Sequence, residues 1–265
     1  MEFSFDGIGS AAQSMSPAAI PTGHNNKGFF KRALMNLFII AFMFGFVELY
    51  TFCLGSGNGL IGLTISLAII SFWRTDIGIK PLQGAFVIWG SFLLTGGATF
   101  LASFHPAIGV FVNFASIYII LTLTSHQPMA KAYYPILSCY LFAQSSPVYG
   151  IDYGLRMIGI AGGGLIVAII YYMRHRKVKR RRNITDIFRE THFCSIRTKF
   201  FIRLTTGLTI AMLIGDFYHV LKPAWISFTV LSLVHPFVNE SRKKIVYRII
   251  GTIIGGILYF VLFEW

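Results

Sequence analysis

Charged side chains are scarce in this chain of 265 residues. Only 12% of its residues are Asp, Glu, Lys or Arg, and just ten of these are acidic, whereas 55% are hydrophobic. A chain with so few charges lacks the polar surface that a water-soluble globule needs. The composition therefore excludes a soluble globular protein and predicts one that lies mostly in the lipid bilayer.

Cysteine is scarce as well. Cys53, Cys139 and Cys194 are odd in number and far apart, and the histidines show no metal-ligand spacing, so neither a disulfide framework nor a metal site is predicted. The sequence also lacks the glycine loop ending in lysine that binds phosphate in ATPases. We therefore predict no enzyme activity, no cofactor and no ATP-driven transport within this chain.

Nine apolar runs make up most of the sequence. A bilayer core about 30 Å thick needs roughly 20 apolar residues of helix, and most of the runs can span it. We therefore predict an all-α, polytopic membrane bundle of about nine transmembrane helices. The runs are Ala33–Leu54, Gly57–Trp73, Leu82–Ser103, Ile108–Thr124, Tyr133–Val148, Leu155–Met173, Ile202–Val220, Ala224–Val238 and Ile245–Phe263.

The positive charges predict the orientation. Of the 23 Lys and Arg residues, 21 fall in alternate connecting segments, which include the basic block 174–182, RHRKVKRRR. Only Arg156 and Lys222 fall on the other side. Because cytoplasmic loops of membrane proteins are rich in Lys and Arg, we predict a cytoplasmic N-terminus, nine crossings and an outward-facing Trp265.

The connecting segments divide the chain into four parts. Residues 1–28, rich in Gly, Ser, Ala and Pro, are predicted to form a disordered cytoplasmic tail, and residues 29–173 a first membrane half with six helices. Residues 174–199 form a basic cytoplasmic linker with a short amphipathic helix around Ile184–Cys194. Residues 200–265 begin a second half with three helices. The net charge of +13 lies beside membrane helices, where it attracts anionic lipid, so we predict no nucleic-acid binding.

Two glycine-rich helices share one spaced pattern. Arg156-x-x-Gly159-x-x-x-Gly163-Gly164 in the sixth run matches Arg248-x-x-Gly251-x-x-x-Gly255-Gly256 in the ninth. Transporters are often built from repeated helical units, which favours an internal duplication. Small residues at four-residue spacing also arise because they let helices pack closely in lipid. The sequence leaves both explanations open.

The stretch from Arg203 to Leu262 has a distinctive order of elements. A membrane helix is followed by a Trp-led helix that ends at a proline, then by a basic turn, and then by R-x-x-G-T-x-x-G. The positions concerned are Trp225, Pro236, Arg242, Arg248, Gly251, Thr252 and Gly255. In this pattern the chain resembles the fusaric acid resistance family, also called the aromatic acid exporter family. Tyr134-Pro135 and Ser146-Pro147-Val148 in the first half also fit this resemblance. Taken together, the resemblance covers roughly residues 29–263.

The resemblance implies a multi-pass protein of the bacterial plasma membrane, which in the best-known members of the family exports aromatic carboxylic acids. Larger relatives have cytosolic domains, for which the linker here is too short, and a complete second half would have six helices. We therefore expect the three remaining helices to come from a longer form of the chain, or from a partner or a homo-oligomer.

Two acids lie well inside apolar runs. Glu48 and Asp216 occupy similar depths in the first helix of each half. Charges inside a membrane are costly and tend to face a polar cavity or a partner, and a buried carboxyl group can load and release protons. We predict both as proton-coupling residues. The alternative is that both are hydrated near the outer interface.

Arg156 and Arg248 open the two glycine-rich helices and are candidate substrate-binding residues. A guanidinium group holds a carboxylate through two parallel hydrogen bonds. The alternatives are an interfacial anchor for Arg248 and a pair with Asp152, four residues earlier, for Arg156. The resemblance adds Thr252 as a candidate. Trp225 is a further candidate because it can stack on an aromatic ring, although Trp is also enriched at membrane interfaces.

Runs two, five and eight are shorter than the others or bounded by Gly and Pro. Such segments in repeated units are a sequence pointer to a midplane binding site. Taken with the resemblance, this predicts a secondary transporter that exports small organic anions, aromatic carboxylic acids among them, by proton coupling. A passive anion channel and a non-transporting membrane scaffold remain as alternatives.

Overall fold

The computed structural model describes residues 26–125, 128–178, 182–189, 195–218 and 220–263. All regular structure in these ranges is helical, which confirms the predicted all-α fold. The α-helices are α1 (Asn26–Leu54), α2 (Gly59–Arg74), α3 (Pro81–Ser103), α4 (Pro106–Thr124), α5 (Tyr134–Ser145), α6 (Ile151–His175), α7 (Ile184–Arg189), α8 (Ile196–Phe217), α9 (Ala224–Leu233) and α10 (Val238–Phe263). Short 3₁₀ turns lie at Ser56–Asn58 and Pro128–Ala130.

Each of the nine predicted apolar runs overlaps the greater part of one of these helices, and α7 lies in the basic linker. Helix α1 begins at Asn26, so the last three residues assigned to the tail are helical. The first 25 residues lie outside the described residues. The linker helix ends at Arg189 in the described part, and its predicted continuation to Cys194 falls outside the described residues, as does Trp265.

Seven helices in the described part are long and apolar enough to cross a membrane, which makes this a multi-pass membrane protein. Helix α5 has 12 residues and α9 has 10. At about 1.5 Å per residue they are too short to span a 30 Å core as helices alone. Together with α2, with 16 residues, they are the shortest helices of the nine runs, as the sequence predicts. Proline limits both: Pro147 follows α5, and Pro223 precedes α9.

The chain divides into two units, Met1–Phe42 and Met43–Trp265. Within the described residues the first unit is the N-terminal part of α1. In the second unit, α6 packs against α2 and α3, and α5 packs against the same two helices. Helix α4 packs against α8, which also contacts α9. Fully buried side chains such as Ile65, Phe92 and Ile160 form the core between these helices.

Close packing of α6 depends on its glycines. A Cβ atom at Gly163 would overlap the side chain of Ile65 in α2, and one at Gly164 would lie 2.7 Å from the Cβ of Phe92 in α3. At the three matching glycines of α10, no atom of the described residues would lie within 4 Å of an added Cβ, and no described residue of α10 is buried. The shared pattern is therefore a packing face in α6 and an exposed face in α10.

Segments predicted to lie on one side of the membrane contact each other. Among the predicted cytoplasmic segments, the Lys80 N–H donates to the Arg182 carbonyl at 3.1 Å, and Arg203 Nη2 donates to the Pro236 carbonyl at 2.9 Å. Among the predicted outer ones, Arg156 bonds to Gly57.

Candidate functional site

Arg156 is a buried cation near the start of α6. Only 2% of the residue is exposed. Gly150, which precedes the helix, has a φ of 61°, a backbone conformation that favours glycine and lets the chain turn sharply into α6. The turn brings the guanidinium group of Arg156 between the ends of two neighbouring helices.

Four hydrogen bonds hold this guanidinium group. Nε donates to Asn58 Oδ1 at 2.8 Å, and Nη2 donates to the Gly57 carbonyl at 3.0 Å. Nη1 donates to the carbonyls of Ala143 and Ser146, at 3.2 and 2.6 Å. Four of the five N–H groups of the arginine therefore have an acceptor among the described residues.

The acceptors come from two helix termini. Ala143 and Ser146 lie at the C-terminal end of α5, where backbone carbonyls lack helical partners and carry partial negative charge. Gly57 and Asn58 form the 3₁₀ turn before α2. The predicted alternative partner, Asp152, is exposed and is not among these hydrogen-bond acceptors. Arg156 thus ties α2, α5 and α6 together through neutral oxygens and keeps its positive charge without a bonded carboxylate in the described part.

A cavity of about 240 Å³ lies beside Arg156. We call it the Arg156 cavity. It is lined by Thr99, Phe100, Ala102 and Ser103 of α3, Pro106 of α4, Ala143, Gln144 and Ser145 of α5, the loop residues Pro147, Val148 and Tyr149, Tyr153 and Arg156 of α6, and Asp216 of α8.

The lining of the Arg156 cavity combines groups that suit a small organic anion. Arg156 supplies a cation, and Asp216, near the end of α8, supplies a titratable carboxyl group. The buried Gln144 Oε1 has no hydrogen-bond partner among the described residues. The rings of Phe100 and Tyr153 stack with centroids 4.7 Å apart, and Tyr153 donates its hydroxyl hydrogen to a carbonyl of α3 at 3.2 Å. The site thus offers a cation, a carboxyl group and a fixed aromatic surface, whereas Gln144 Oε1 is an acceptor that bonds to a donor such as water or a protonated acid.

Helix α8 carries a polar face that leads to Asp216. Thr198, Thr205, Thr209 and Asp216 are spaced by seven, four and seven residues, which places them on one side of the helix. The hydroxyls of the three threonines are buried and have no hydrogen-bond partner in the described part of the chain. Buried threonines elsewhere bond to their own helix, as Thr95 does to the Ser91 carbonyl at 2.9 Å. Each unpartnered buried hydroxyl is energetically costly, so this row is an unusual feature of α8.

The structure brings two of the six predicted site residues together and separates the other four from them. Arg156 and Asp216 line the same cavity. Glu48 lies on an exposed surface of α1, and Trp225 is 67% exposed at the start of α9. Arg248 and Thr252 are exposed on α10, where Thr252 Oγ1 donates to the Arg248 carbonyl at 2.8 Å.

Sequence reasoning missed Asn58 and Gln144. Gln144 is the only side-chain amide in the fifth apolar run, and Asn58 interrupts a glycine-rich turn. A lone amide within an apolar run is a signal of a polar site, because an amide in lipid needs a partner. His24, His126, His192, His219 and Cys194 lie outside the described residues, and among the residues that the structure describes no cluster of His, Cys, Asp and Glu has metal-binding geometry.

Comparison with known proteins adds one finding to this geometry. Residues 210–265 match the fusaric acid resistance protein-like family. The match covers about a fifth of the chain, from the second half of α8 to residue 265, and includes Asp216, Trp225 and Arg248. It confirms the predicted resemblance for these residues, and it does not extend to residues 29–209. Comparisons with curated proteins and with solved structures give no match.

The family match and the helices together fit a membrane transporter. The match begins at residue 210, after the end of α6, so it does not include Arg156. Of the residues that line the Arg156 cavity, only Asp216 lies within the matched region. The other lining residues precede that region.

Proposed function

We propose that this protein is a secondary transporter that exports small organic anions, aromatic carboxylic acids among them, across a bacterial plasma membrane. The observation that supports it most is the Arg156 cavity, in which a buried arginine with no bonded carboxylate among the described residues and a carboxyl group on another helix line one space. The cytoplasmic N-terminus predicted from the charges would place this cavity on the outer side.

Arg156 attracts the anion mainly through its charge. Its four hydrogen bonds fix the guanidinium group, and one N–H remains for a ligand. A fixed cation in a site of low dielectric acts more strongly than one in water. The substrate carboxylate then lies near the Arg156 charge, and its aromatic ring lies against the Phe100 and Tyr153 rings.

Asp216 links anion binding to protonation. An ionised Asp216 repels a bound organic anion, whereas a protonated Asp216 does not. The affinity of the cavity for the anion therefore rises as the pH falls and Asp216 takes up a proton. This linkage favours joint binding of a proton and the anion, and hence their co-transport in one direction. Exchange of a proton for an anion in opposite directions would need conformational steps that separate the binding of the proton from the binding of the anion. The direction of proton flux during transport distinguishes co-transport from exchange.

A path for the anion away from the cavity would follow the polar face of α8. Thr209 precedes Asp216 by seven residues and Thr205 precedes Thr209 by four. Thr198 lies near the N-terminal end of α8. Their hydroxyls can bond to a passing anion or its hydration water, since among the described residues they have no other partner. A passive anion channel would use the same path, and the row of hydroxyls is the observation that keeps this second function open.

The test is transport by the full chain in liposomes loaded with benzoate. Efflux from the wild type should be saturable and should change in rate when the pH gradient is reversed. Asp216→Asn should keep benzoate binding but lose this response, because the amide does not titrate. Glu48→Gln serves as the comparison, since Glu48 lies apart from the cavity. Unchanged pH dependence in Asp216→Asn would show that Asp216 is not the coupling residue, and unsaturable efflux would favour the channel.

A further inference from the structure

A second cavity of about 290 Å³ lies at the opposite end of the helices, between the start of α5 and the end of α9. We call it the Lys131 cavity. Its lining includes Lys131, Tyr133, Tyr134, His235 and Lys244. All of these residues lie in or beside segments that the charge distribution predicts to be cytoplasmic. The Lys131 cavity and the Arg156 cavity share no residue.

Two lysines give the Lys131 cavity its charge. Neither Lys131 nor Lys244 has an ion-pair partner among the described residues, because the nearby Glu240 pairs with Lys243 at 3.8 Å instead. Burial, with the Lys244 and Lys131 charges, lowers the pKa of His235 below its usual value. At neutral pH the His235 imidazole is therefore uncharged and still offers one N–H.

The walls of the cavity are held in place. The Tyr133 side chain is buried, with its ring centroid 6.0 Å from that of Phe200 in α8. On the other wall, the backbone N–H of His235 donates to Ser241 Oγ at 2.8 Å, and Arg203 Nη2 donates to the Pro236 carbonyl at 2.9 Å. A preformed site loses little entropy when a ligand binds.

We propose that the Lys131 cavity is the cytoplasmic capture site for an aromatic carboxylate. Lys131 and Lys244 would hold the carboxylate, and the ring would lie against Tyr133 and Tyr134. The volume is near the lower end of the range for small-molecule sites, which suits a molecule with one ring. This inference rests on the proposed export of aromatic acids and adds the place where such an acid enters from the cytoplasm.

The probe for this site is 4-azidobenzoate, bound to the full chain in phosphatidylcholine nanodiscs, activated by light and located by peptide mapping. We expect label on the peptide that contains Tyr133 and Tyr134, and excess benzoate should remove it. The double variant Lys131→Gln/Lys244→Gln should lose about tenfold or more of this label, which corresponds to a tenfold weaker affinity. Lys243→Gln is the matched control, because Lys243 belongs to the same basic turn but pairs with Glu240.

Four further results separate the explanations. Lys131→Arg/Lys244→Arg should keep the label, because arginine preserves the positive charge at both positions. Loss of label in Lys131→Gln/Lys244→Gln would then be due to the lost charges and not to misfolding. Label confined to Tyr149 and Tyr153 would refute the Lys131 cavity as a capture site but leave the proposed function standing. Absence of any benzoate-protected label would contradict the proposed function itself. If phosphatidylglycerol removes the label at the Lys131 cavity and benzoate does not, the cavity binds lipid headgroups and our inference is wrong.

Discussion

Replacement of Arg156 by methionine should destabilise the protein even when no substrate is present. The variant keeps the unbranched apolar stem of the side chain but loses all four hydrogen bonds of the guanidinium group. The carbonyls of Gly57, Ala143 and Ser146 then lose a donor in a region with little water. The links from α6 to α5 and to the turn before α2 would weaken together.

The size of the effect follows from those four bonds. Hydrogen bonds inside membranes average about 0.6 kcal/mol each, so their loss costs at least about 2 kcal/mol. At about 1.5 kcal/mol for a bond to a charged group, the loss reaches about 6 kcal/mol. Removal of a charge from the membrane offsets part of this, so we expect the lower end. For a chain of this size that corresponds to a fall in Tm of about 4–8 °C.

The measurement is thermal unfolding of the purified full chain in detergent, without added anion. Lys222→Met is the matched control, because Lys222 is the other basic residue on the predicted outer side and its side chain is exposed. We expect that variant to unfold at the wild-type temperature. An Arg156→Met variant as stable as the wild type would refute the anchoring role and leave Arg156 with anion binding alone.

Three other predictions follow from the fold. Gly163→Ala should lower Tm because its Cβ would overlap α2, whereas Gly255→Ala, at the matching place in α10, should leave Tm unchanged. In a cysteine-free background, a cysteine at Asp152 should react with an impermeant maleimide added to intact cells, and one at Lys177 should not. The reverse pattern would invert the orientation. Thr205→Val should slow benzoate efflux without loss of stability, because it removes an unpartnered hydroxyl and keeps the shape; wild-type efflux would exclude α8 from the path.

Much of the fold is predictable from the sequence because helix placement depends on local composition. An apolar run must be helical in lipid to satisfy its own backbone, and every one of the nine runs overlaps the greater part of a helix. The short helices α5 and α9 are also foreseeable, since proline close to each run limits the helix. Local rules of this kind need no knowledge of which helices pack together.

The candidate site is less predictable because its parts come from distant segments. The acceptors of Arg156 include Asn58, 98 residues earlier, and three backbone carbonyls, which carry no signature of residue type. The pattern shared by α6 and α10 suggests equal roles for Arg156 and Arg248, yet one is buried and the other exposed. That difference depends on neighbouring helices, which the spacing of residues within one helix does not specify.

The bonds of Arg156 also have a consequence for how the protein is made. All of its acceptors lie earlier in the chain than Arg156 itself. Because a chain emerges from the ribosome with its N-terminal part first, Asn58, Ala143 and Ser146 are synthesised before the cation that they hold. Helix α6 therefore enters the membrane with a charge whose partners are already present, and its insertion completes the assembly of the segments that came before it.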